Sequence, residues 1–239
     1  MRPAPDDQYE VTDRRPMPPR EWAVMRGLTE VAVRLRLSAN AVSVLSVVFA
    51  SASGAALVLT TQAHGWTQRG LWLVGAAGIE LRALCNLLDG MVAVRTGTAS
   101  PVGELYNEVP DRLSDVAMLA GLGYAAGAPT LGWAAACAAV MVAYARAQAA
   151  VAGAGQDYGG PMSKPVRMQV VAVVCIACAF APHAVDSPLW FFVEDSAEGR
   201  NVHGPGWVEG ILILLIAGCV TTTIARLVRA SRRLRKGAA

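Results

Sequence analysis

The chain has 239 residues, of which 54% are hydrophobic and only 16% are charged. Soluble globular domains usually carry about 25% charged residues, so this composition favours an integral membrane protein over a soluble one. The net charge of +3 does not indicate a nucleic-acid partner, because no RNA- or DNA-binding motif is present and the basic residues cluster at both ends, as in cytoplasmic flanks of membrane helices.

The N-terminal part of the chain is polar and rich in arginine. Residues 1–18 are predicted to form a disordered tail, since they are rich in proline, aspartate and arginine. Residues 19–38 mix apolar residues with arginines in a pattern that predicts an amphipathic helix lying in the membrane interface. No cleavable signal peptide is expected, because the required apolar stretch is missing from the first forty residues.

Six apolar segments follow, and each is predicted to cross the membrane as a helix, since about 20 apolar residues span the hydrocarbon core. The predicted spans cover residues 40–60, 71–94, 102–127, 131–152, 168–181 and 207–227. An acidic loop at 182–205 precedes the last span, and a basic tail occupies 231–239. The predicted fold is therefore all-α and membrane-integral: a six-transmembrane-helix bundle over residues 39–230, with an N-terminal interfacial helix.

Lysine and arginine set the predicted orientation of the bundle. Both ends of the chain are basic, whereas the loops on the opposite side hold only Arg69 and Arg200. The positive-inside rule then places both termini in the cytoplasm, together with the loops at 95–110 and 153–167. The unusual polar residues lie on that side, so a site facing the cytoplasm from the inner (plasma) membrane is expected.

Two predicted spans carry polar residues that are costly inside a membrane unless they pair, meet water or hold ions. Their spacing puts them on one face of each helix. On the second span this stripe consists of Asn86, Asp89 and Ala93. On the third span it consists of Gly103, Asn107, Asp111 and Asp115. The short link between the two spans predicts antiparallel neighbours whose stripes meet.

Oxygen-bearing side chains without histidine or cysteine nearby favour a hard divalent ion such as Mg²⁺, Mn²⁺ or Ca²⁺. Two acidic stripes would repel each other unless a positive charge lies between them. The alternative is a structural hydrogen-bond network that closes a gap in the bundle. Two stripes separated by a loop of small residues favour the ion site over that alternative.

These residues resemble the signature of the CDP-alcohol phosphotransferases (CDP-alcohol phosphatidyltransferases), D-x2-D-G-x2-A-R-x8-G-x3-D-x3-D. The matching positions are Asp89, Gly90, Ala93, Gly103 and Asp111. The chain departs from the signature at Asn86 and Asn107, which replace aspartates, and at Val94, which is followed by Arg95. The resemblance extends over roughly residues 35–230 and implies a homodimer.

The resemblance implies an enzyme of phospholipid biosynthesis. It would transfer a phosphatidyl group from a CDP-linked lipid, such as CDP-diacylglycerol, to a hydroxylated acceptor and release CMP. The implied ligands of Mg²⁺ or Mn²⁺ are Asn86, Asp89, Asn107 and Asp111, with Asp111 also the general base. The implied nucleotide contacts are Gly90, Ala93 and Gly103. Because the asparagines bring amide oxygens but no charge, the number of ions stays open at one or two.

A second basic cluster lies on the cytoplasmic side of the fourth and fifth spans and consists of Arg146, Lys164 and Arg167. The segments around these residues resemble those with which phosphatidylinositol-phosphate and phosphatidylglycerophosphate synthase-like members hold the acceptor phosphate, and guanidinium groups suit phosphate oxygens. An acceptor such as inositol phosphate or glycerol phosphate is therefore expected. The alternative is that these cations reach toward lipid headgroups. Arg82 is expected to pair with Glu80 or with a carboxylate of the stripes.

Two other functions stay open from the sequence. The asparagines at 86 and 107 would also suit a catalytically reduced homologue that serves as a membrane binding or scaffold subunit. A small cation transporter is the weaker alternative, because the polar residues gather at one face of the membrane and do not continue across it.

Overall fold

The computed structural model of the chain describes residues 22–98, 101–180 and 206–237, and at 101–102 and 104–107 it describes the backbone alone. Within these ranges the secondary structure is helical, with no strand, so the predicted all-α class is confirmed. The helices are α1 (Ala23–Arg34), α2 (Ala39–Leu59), α3 (Gly65–Thr96), α4 (Pro101–Ala125), α5 (Pro129–Val151), α6 (Lys164–Phe180) and α7 (Gly206–Gly237).

Four helices of the described ranges are long and apolar enough to cross a membrane, namely Ala39–Gln62, Gly65–Thr96, Pro129–Val151 and Gly206–Lys236. They correspond to the first, second, fourth and sixth predicted spans, which supports the predicted membrane protein. The third and fifth predicted spans are the helices α4 and α6. Whether these two also cross stays a prediction, because α4 is rich in charge and α6 has only 17 residues.

The helix ends follow from local sequence signals. Ser38 caps α2, since its hydroxyl accepts a hydrogen bond from the backbone N–H of Ala41 at 3.1 Å. Gly97 ends α3 in the left-handed conformation, with φ of 65°, which a glycine adopts at little cost. α7 continues past its predicted end at residue 227, so the predicted basic tail is helical as far as Gly237. The tail at 1–18 and the acidic loop at 182–205 lie outside the described residues.

The helix α2 is the hub of the bundle, because it packs against both α3 and α4. α3 also packs against α6, and α4 against α5, which in turn contacts α7. α3 and α4 each pack more extensively against α2 than against each other. Their polar stripes nevertheless meet as predicted, because Asn86 contacts Asp111 and Arg82 contacts Asp115. The space between them is where the polar residues meet.

Small residues allow the closest helix contacts, as expected inside a membrane. A Cβ atom on Gly121 of α4 would lie 2.6 Å from the carbonyl oxygen of Gly54 on α2. A Cβ atom on Gly132 of α5 would lie 2.7 Å from the Cα atom of Gly123 on α4. Both clashes are with backbone atoms, which cannot rotate away. Glycine at these positions therefore sets the distance of α4 from its two neighbours.

We expect Gly121→Ala to destabilise the protein by about 1–3 kcal/mol, the usual cost of overpacking. The free energy of unfolding can be measured by denaturant titration in detergent micelles. Gly70→Ala is the matched control, because a Cβ atom there meets nothing within 4 Å and alanine favours a helix. Equal stability of Gly121→Ala and the wild type would contradict this account of the α2–α4 contact.

Candidate active site

Residues predicted to bind a metal ion and a residue predicted to bind the acceptor phosphate meet at one site. Asp111 of α4 forms an ion pair with Lys164, the first residue of α6. Asn86 of α3 joins them in the amide orientation that satisfies both neighbours. Its nitrogen then donates to Asp111 Oδ1 at 3.1 Å, and its oxygen accepts from Lys164 Nζ at 3.0 Å. Predicted metal ligands and a predicted phosphate ligand are thus in direct contact.

The second predicted carboxylate, Asp89, lies beside this group. It is buried, and its Oδ2 atom accepts a hydrogen bond from the Ser43 hydroxyl of α2 at 2.8 Å. Its Oδ1 atom is 2.5 Å from the backbone nitrogen of Gly90. Asp89 lies three residues after Asn86 on α3, which puts the two side chains on the same side of that helix. Ser43 is a contact that no sequence pattern indicated.

Asp115 is the anion of a buried ion network. Its Oδ1 atom accepts from Arg82 of α3 at 2.9 Å, and its Oδ2 atom accepts from Arg167 of α6 at 2.7 Å. Arg82 also donates to the backbone carbonyl of Asp111 at 3.1 Å. The prediction that Arg82 pairs with a carboxylate of the stripes is confirmed, whereas Glu80 accepts from Gln169 instead.

Each member of this network is almost completely withdrawn from solvent, since the side chains of Arg82, Asp115 and Arg167 are 0%, 3% and 4% exposed. Arg167 also donates to the carbonyl oxygen of Met162 at 2.9 Å. Two arginines hold both oxygens of Asp115, so this carboxylate serves as their counter-ion. Arg167, predicted as a phosphate ligand, is in this structure a buried partner of Asp115 at the edge of the cavity.

A cavity of about 320 Å³ opens beside the network. Helices α3, α4, α5, α6 and α7 contribute to its walls, together with the loop before α6. The charged side chains that line it are Glu108, Asp111, Arg112, Arg146, Lys164, Arg167 and Arg226. Five of these are basic and two are acidic, so the cavity favours an anion. All three predicted acceptor ligands are in this wall, as are Asn86 and Asp111.

Arg146 is held at the cavity wall by two neighbours. Its Nη2 atom is 2.5 Å from Glu108 Oε1, and its guanidinium lies 5.2 Å from the centre of the Tyr158 ring. Arg226 also reaches the cavity from α7, where it donates to the carbonyl oxygens of Val142 at 2.8 Å and Gly159 at 3.0 Å. The sequence pattern indicated Arg226 only as part of the basic flank, and it did not indicate Tyr158.

The loop between α5 and α6 is tied to α7 by Asp157. Arg229 Nε donates to Asp157 Oδ2 at 2.7 Å, and the Gly159 backbone N–H donates to Oδ1 at 2.9 Å. Burial alone would raise the pKa of Asp157, but these hydrogen bonds outweigh burial and hold the pKa below its ordinary value of 3.8. The loop that carries Tyr158 over the cavity is therefore fixed at its neighbouring residue.

The predicted nucleotide contacts lie at the same end of the bundle. Gly90 and Ala93 are half-buried on α3, and Gly103 is half-buried in the first turn of α4. None of these three described residues is in the cavity wall, so their role stays a prediction. Asn107 lies on α4 one turn before Asp111, at a position where only the backbone is described.

The donor chemistry of this site fits one hard divalent cation. Among the described residues no three histidine, cysteine, aspartate or glutamate side chains are placed to share an ion. The oxygen donors available on this side of α3 and α4 are the carboxylates of Asp89 and Asp111 and the Asn86 amide, which are ligand types suited to Mg²⁺ or Mn²⁺. The two carboxylates bring the negative charge that such an ion needs.

The family model of the CDP-alcohol phosphatidyltransferases matches residues 36–193 of the chain. The chain belongs to the CDP-alcohol phosphatidyltransferase family. The match begins just before α2 and extends past α6, so it includes every residue of the two polar stripes. Membership confirms the resemblance seen in the signature, and with it the predicted phosphatidyl transfer from a CDP-linked lipid in phospholipid synthesis.

Solved structures with the same fold include those of Mycobacterium tuberculosis phosphatidylinositol phosphate synthase (PgsA1). Its complex with manganese and citrate has a TM-score of 0.64 at 22% identity and covers 86% of this chain and 88% of that one. Its structure with CDP-DAG bound has a TM-score of 0.65 at 21% identity, covering 87% and 94% of the two chains. At these identities the likeness shows the fold alone. No curated protein matches the sequence.

We expect Asp115→Asn to destabilise this transferase by about 3–5 kcal/mol, because it leaves two buried guanidiniums beside a neutral partner. Asp111→Asn should be less harmful to stability. Its partner Lys164 is 24% exposed and can turn toward the cavity. Denaturant titrations of both variants in the same detergent compare them. Equal losses would contradict the view that Asp115 is structural.

The hydrogen bonds that Asp157 accepts from Arg229 and Gly159 predict a pH-dependent contribution of this carboxylate to stability. A carboxyl group whose pKa is depressed by folding stabilises the protein above its unfolded-state pKa, and this contribution is lost as the pH falls through the folded-state value. Asp157→Asn should therefore lower the unfolding midpoint near neutral pH. The difference from the wild type should shrink as the pH falls below 3.8. A difference that does not vary with pH would contradict this role.

Proposed function

We propose that the chain transfers a phosphatidyl group from a CDP-linked lipid, such as CDP-diacylglycerol, to a hydroxylated acceptor that carries negative charge. CMP is the leaving group, and the reaction takes place at the cytoplasmic face of the cell membrane. The observation that carries this proposal is the cavity in which Asp111 faces a wall of basic side chains. An acid–base group and an anion-binding surface are thus within reach of one bound molecule.

Asp111 is the proposed general base. Its carboxylate is at the cavity wall, and Asn86 orients it by donating to Oδ1 at 3.1 Å. Arg82 holds the backbone carbonyl of the same residue from behind. The acceptor hydroxyl would give up its proton to Oδ2, the oxygen that now contacts Lys164. A base held at two points in this way loses little freedom when the acceptor binds.

The proposed cofactor is Mg²⁺ or Mn²⁺, with Asn86, Asp89, Asn107 and Asp111 as its ligands. Such an ion neutralises charge on the diphosphate and stabilises CMP as leaving group. Asp89 is kept in place for this role by Ser43. Gly90, Ala93 and Gly103 are proposed to let the nucleotide approach the helices closely, since their side chains are minimal.

The acceptor is proposed to carry a phosphate, as inositol phosphate or glycerol phosphate does. Arg146 and Lys164 are the favoured phosphate ligands, because both line the cavity and neither is as deeply buried as Arg167. Arg167 contributes mainly its charge and the position of α6. Guanidinium and ammonium groups around a partly dry cavity bind phosphate oxygens strongly, whereas a neutral alcohol would leave several of these charges without a partner.

The proposed membrane arrangement has six crossings within a single domain over residues 39–230, and both termini in the cytoplasm. Its support for α4 and α6 is their packing beside α2, α5 and α3. At about 1.5 Å per residue, α6 is long enough to cross most of the hydrocarbon core. Homodimer formation, which the family resemblance implies, belongs to the same proposal.

α1 is proposed to lie in the interface at the cytoplasmic side. One of its faces is buried and includes Met25 and Ala32, and it packs against α3. Val24 of α1 and Leu35, the residue that follows the helix, are 71% and 67% exposed. Apolar side chains that point away from the bundle on an arginine-bearing helix suit the boundary between headgroups and acyl chains.

CMP release by the purified full-length protein tests the proposed function. The assay contains CDP-diacylglycerol, Mg²⁺ or Mn²⁺, and either phosphorylated or neutral acceptors. We expect release with a phosphorylated acceptor and a loss of about 100-fold or more in Asp111→Asn, the usual contribution of a general base. Arg69→Gln is the control, since Arg69 lies beside Trp66 at the opposite end of α3.

Absence of CMP release with every acceptor would reject the enzymatic proposal. The catalytically reduced homologue, a binding or scaffold subunit suggested by Asn86 and Asn107, would then be favoured. Release that prefers neutral alcohols would reject only the phosphorylated acceptor.

A further inference from the structure

We infer that Lys164 is a tethered counter-ion that shares its oxygen partners with the proposed divalent ion and is displaced from them when that ion binds. The displaced ammonium then faces the cavity, where it is available to the acceptor. The inference rests on the proposed function only in taking the site to bind a divalent cation. It concerns how one side chain of this protein responds to that ion.

The contacts of Lys164 are those of a cation in an oxygen cage. Its ammonium contacts the Asp111 carboxylate and the Asn86 amide oxygen, the latter at 3.0 Å. Asn86 and Asp111 are also proposed ligands of the divalent ion, and a third one, Asp89, lies three residues after Asn86 on α3. The lysine and the ion therefore compete for one set of donors.

Charge balance favours exchange over joint occupation. Asp89 and Asp111 bring two negative charges, and the ammonium of Lys164 neutralises one of them. A divalent ion added beside Lys164 would leave the cage with a net positive charge next to Arg82 and Arg112, each 3.6 Å from Asp111. If the ion replaces Lys164, the charges of the cage cancel. Like charges at such short range repel strongly where water is scarce.

Lys164 is also the basic residue of this site that is best able to move. It begins α6 and lines the cavity, and its side chain is 24% exposed, compared with 0% for Arg82 and 4% for Arg167. Lysine carries a compact charge on a flexible four-carbon stem. A rotation about the bonds of this stem would move the ammonium from the oxygens of Asp111 and Asn86 into the cavity, and no helix would have to move. In Arg82, three hydrogen bonds hold the guanidinium in place.

This exchange would couple binding of the divalent ion to binding of the acceptor. Without a divalent ion, Lys164 neutralises Asp111 and both are occupied with each other. With the ion bound, Asp111 no longer contacts the ammonium, and the ammonium adds to the basic wall of the cavity. The ion would thus prepare the site for an anionic acceptor, which predicts that the acceptor binds more tightly when the ion is already present.

A Mn²⁺ titration followed by electron paramagnetic resonance tests the competition in substrate-free, full-length protein in micelles. We expect Lys164→Gln to bind Mn²⁺ about tenfold or more tightly than the wild type, because the competing charge is gone. Arg112→Gln is the matched control, since Arg112 lies 3.6 Å from Asp111 Oδ2 but outside the cage. Equal effects of the two variants, or unchanged binding in Lys164→Gln, would overturn the inference.

Amine labelling of the unmodified protein provides a second test that needs no variant. The chain has two lysines, Lys164 and Lys236, and Lys236 is exposed near the end of α7. Mn²⁺ should increase acylation of Lys164, measured by peptide mass spectrometry, and leave Lys236 unchanged. Labelling of Lys164 that stays constant or falls would overturn the exchange. Neither experiment uses CMP release, so failure here is distinguishable from failure of the proposed function.

Discussion

The carboxylate of Asp115, held between Arg82 and Arg167, joins the three helices α3, α4 and α6 through two buried ion pairs. Separating these charges from water is expensive, and the arrangement is favourable only because both oxygens of the carboxylate are satisfied. α3 and α4 both pack against α2. The ion network links α3, α4 and α6 to one another through Asp115. The cavity opens beside this bridge, so its shape depends on a buried interaction that takes no part in the proposed reaction.

The two neighbouring aspartates of α4 have different surroundings and therefore different roles. Asp115 has two guanidinium partners and almost no exposure, whereas Asp111 faces the cavity and contacts an amide and an ammonium group. One helical turn separates them, and Asp111 is the one nearer the N-terminal end of α4. The charge network also fixes the backbone at Asp111, the proposed general base, because Arg82 donates to its carbonyl oxygen.

The asparagines at 86 and 107 stand where the family signature has aspartates, so they reduce the negative charge of the proposed site. With two carboxylates in place of four, the positive charge of the basic wall is less fully balanced within the protein. Substrate phosphates and a single divalent ion are suited to complete that balance. The loop clamped by Asp157 and the side chain of Arg226 extend the basic surface from α7, so the last helix contributes to the site as well as to the bundle.

Several features of this protein were evident from its residues alone. Apolar segments of membrane length predicted the helices, and the four-residue spacing of Asp111 and Asp115 predicted a shared face, because helical periodicity is a local property. The signature around Asp89 also indicated the family, because it consists of residue types at fixed spacings along a short stretch of sequence. The pairing of Arg167 with Asp115, the contact of Ser43 with Asp89, and the arrival of Tyr158 and Arg226 at the cavity all join residues far apart in sequence. Local periodicity does not encode such contacts. They depend on how the helices pack against one another, and only the tertiary structure decides that packing.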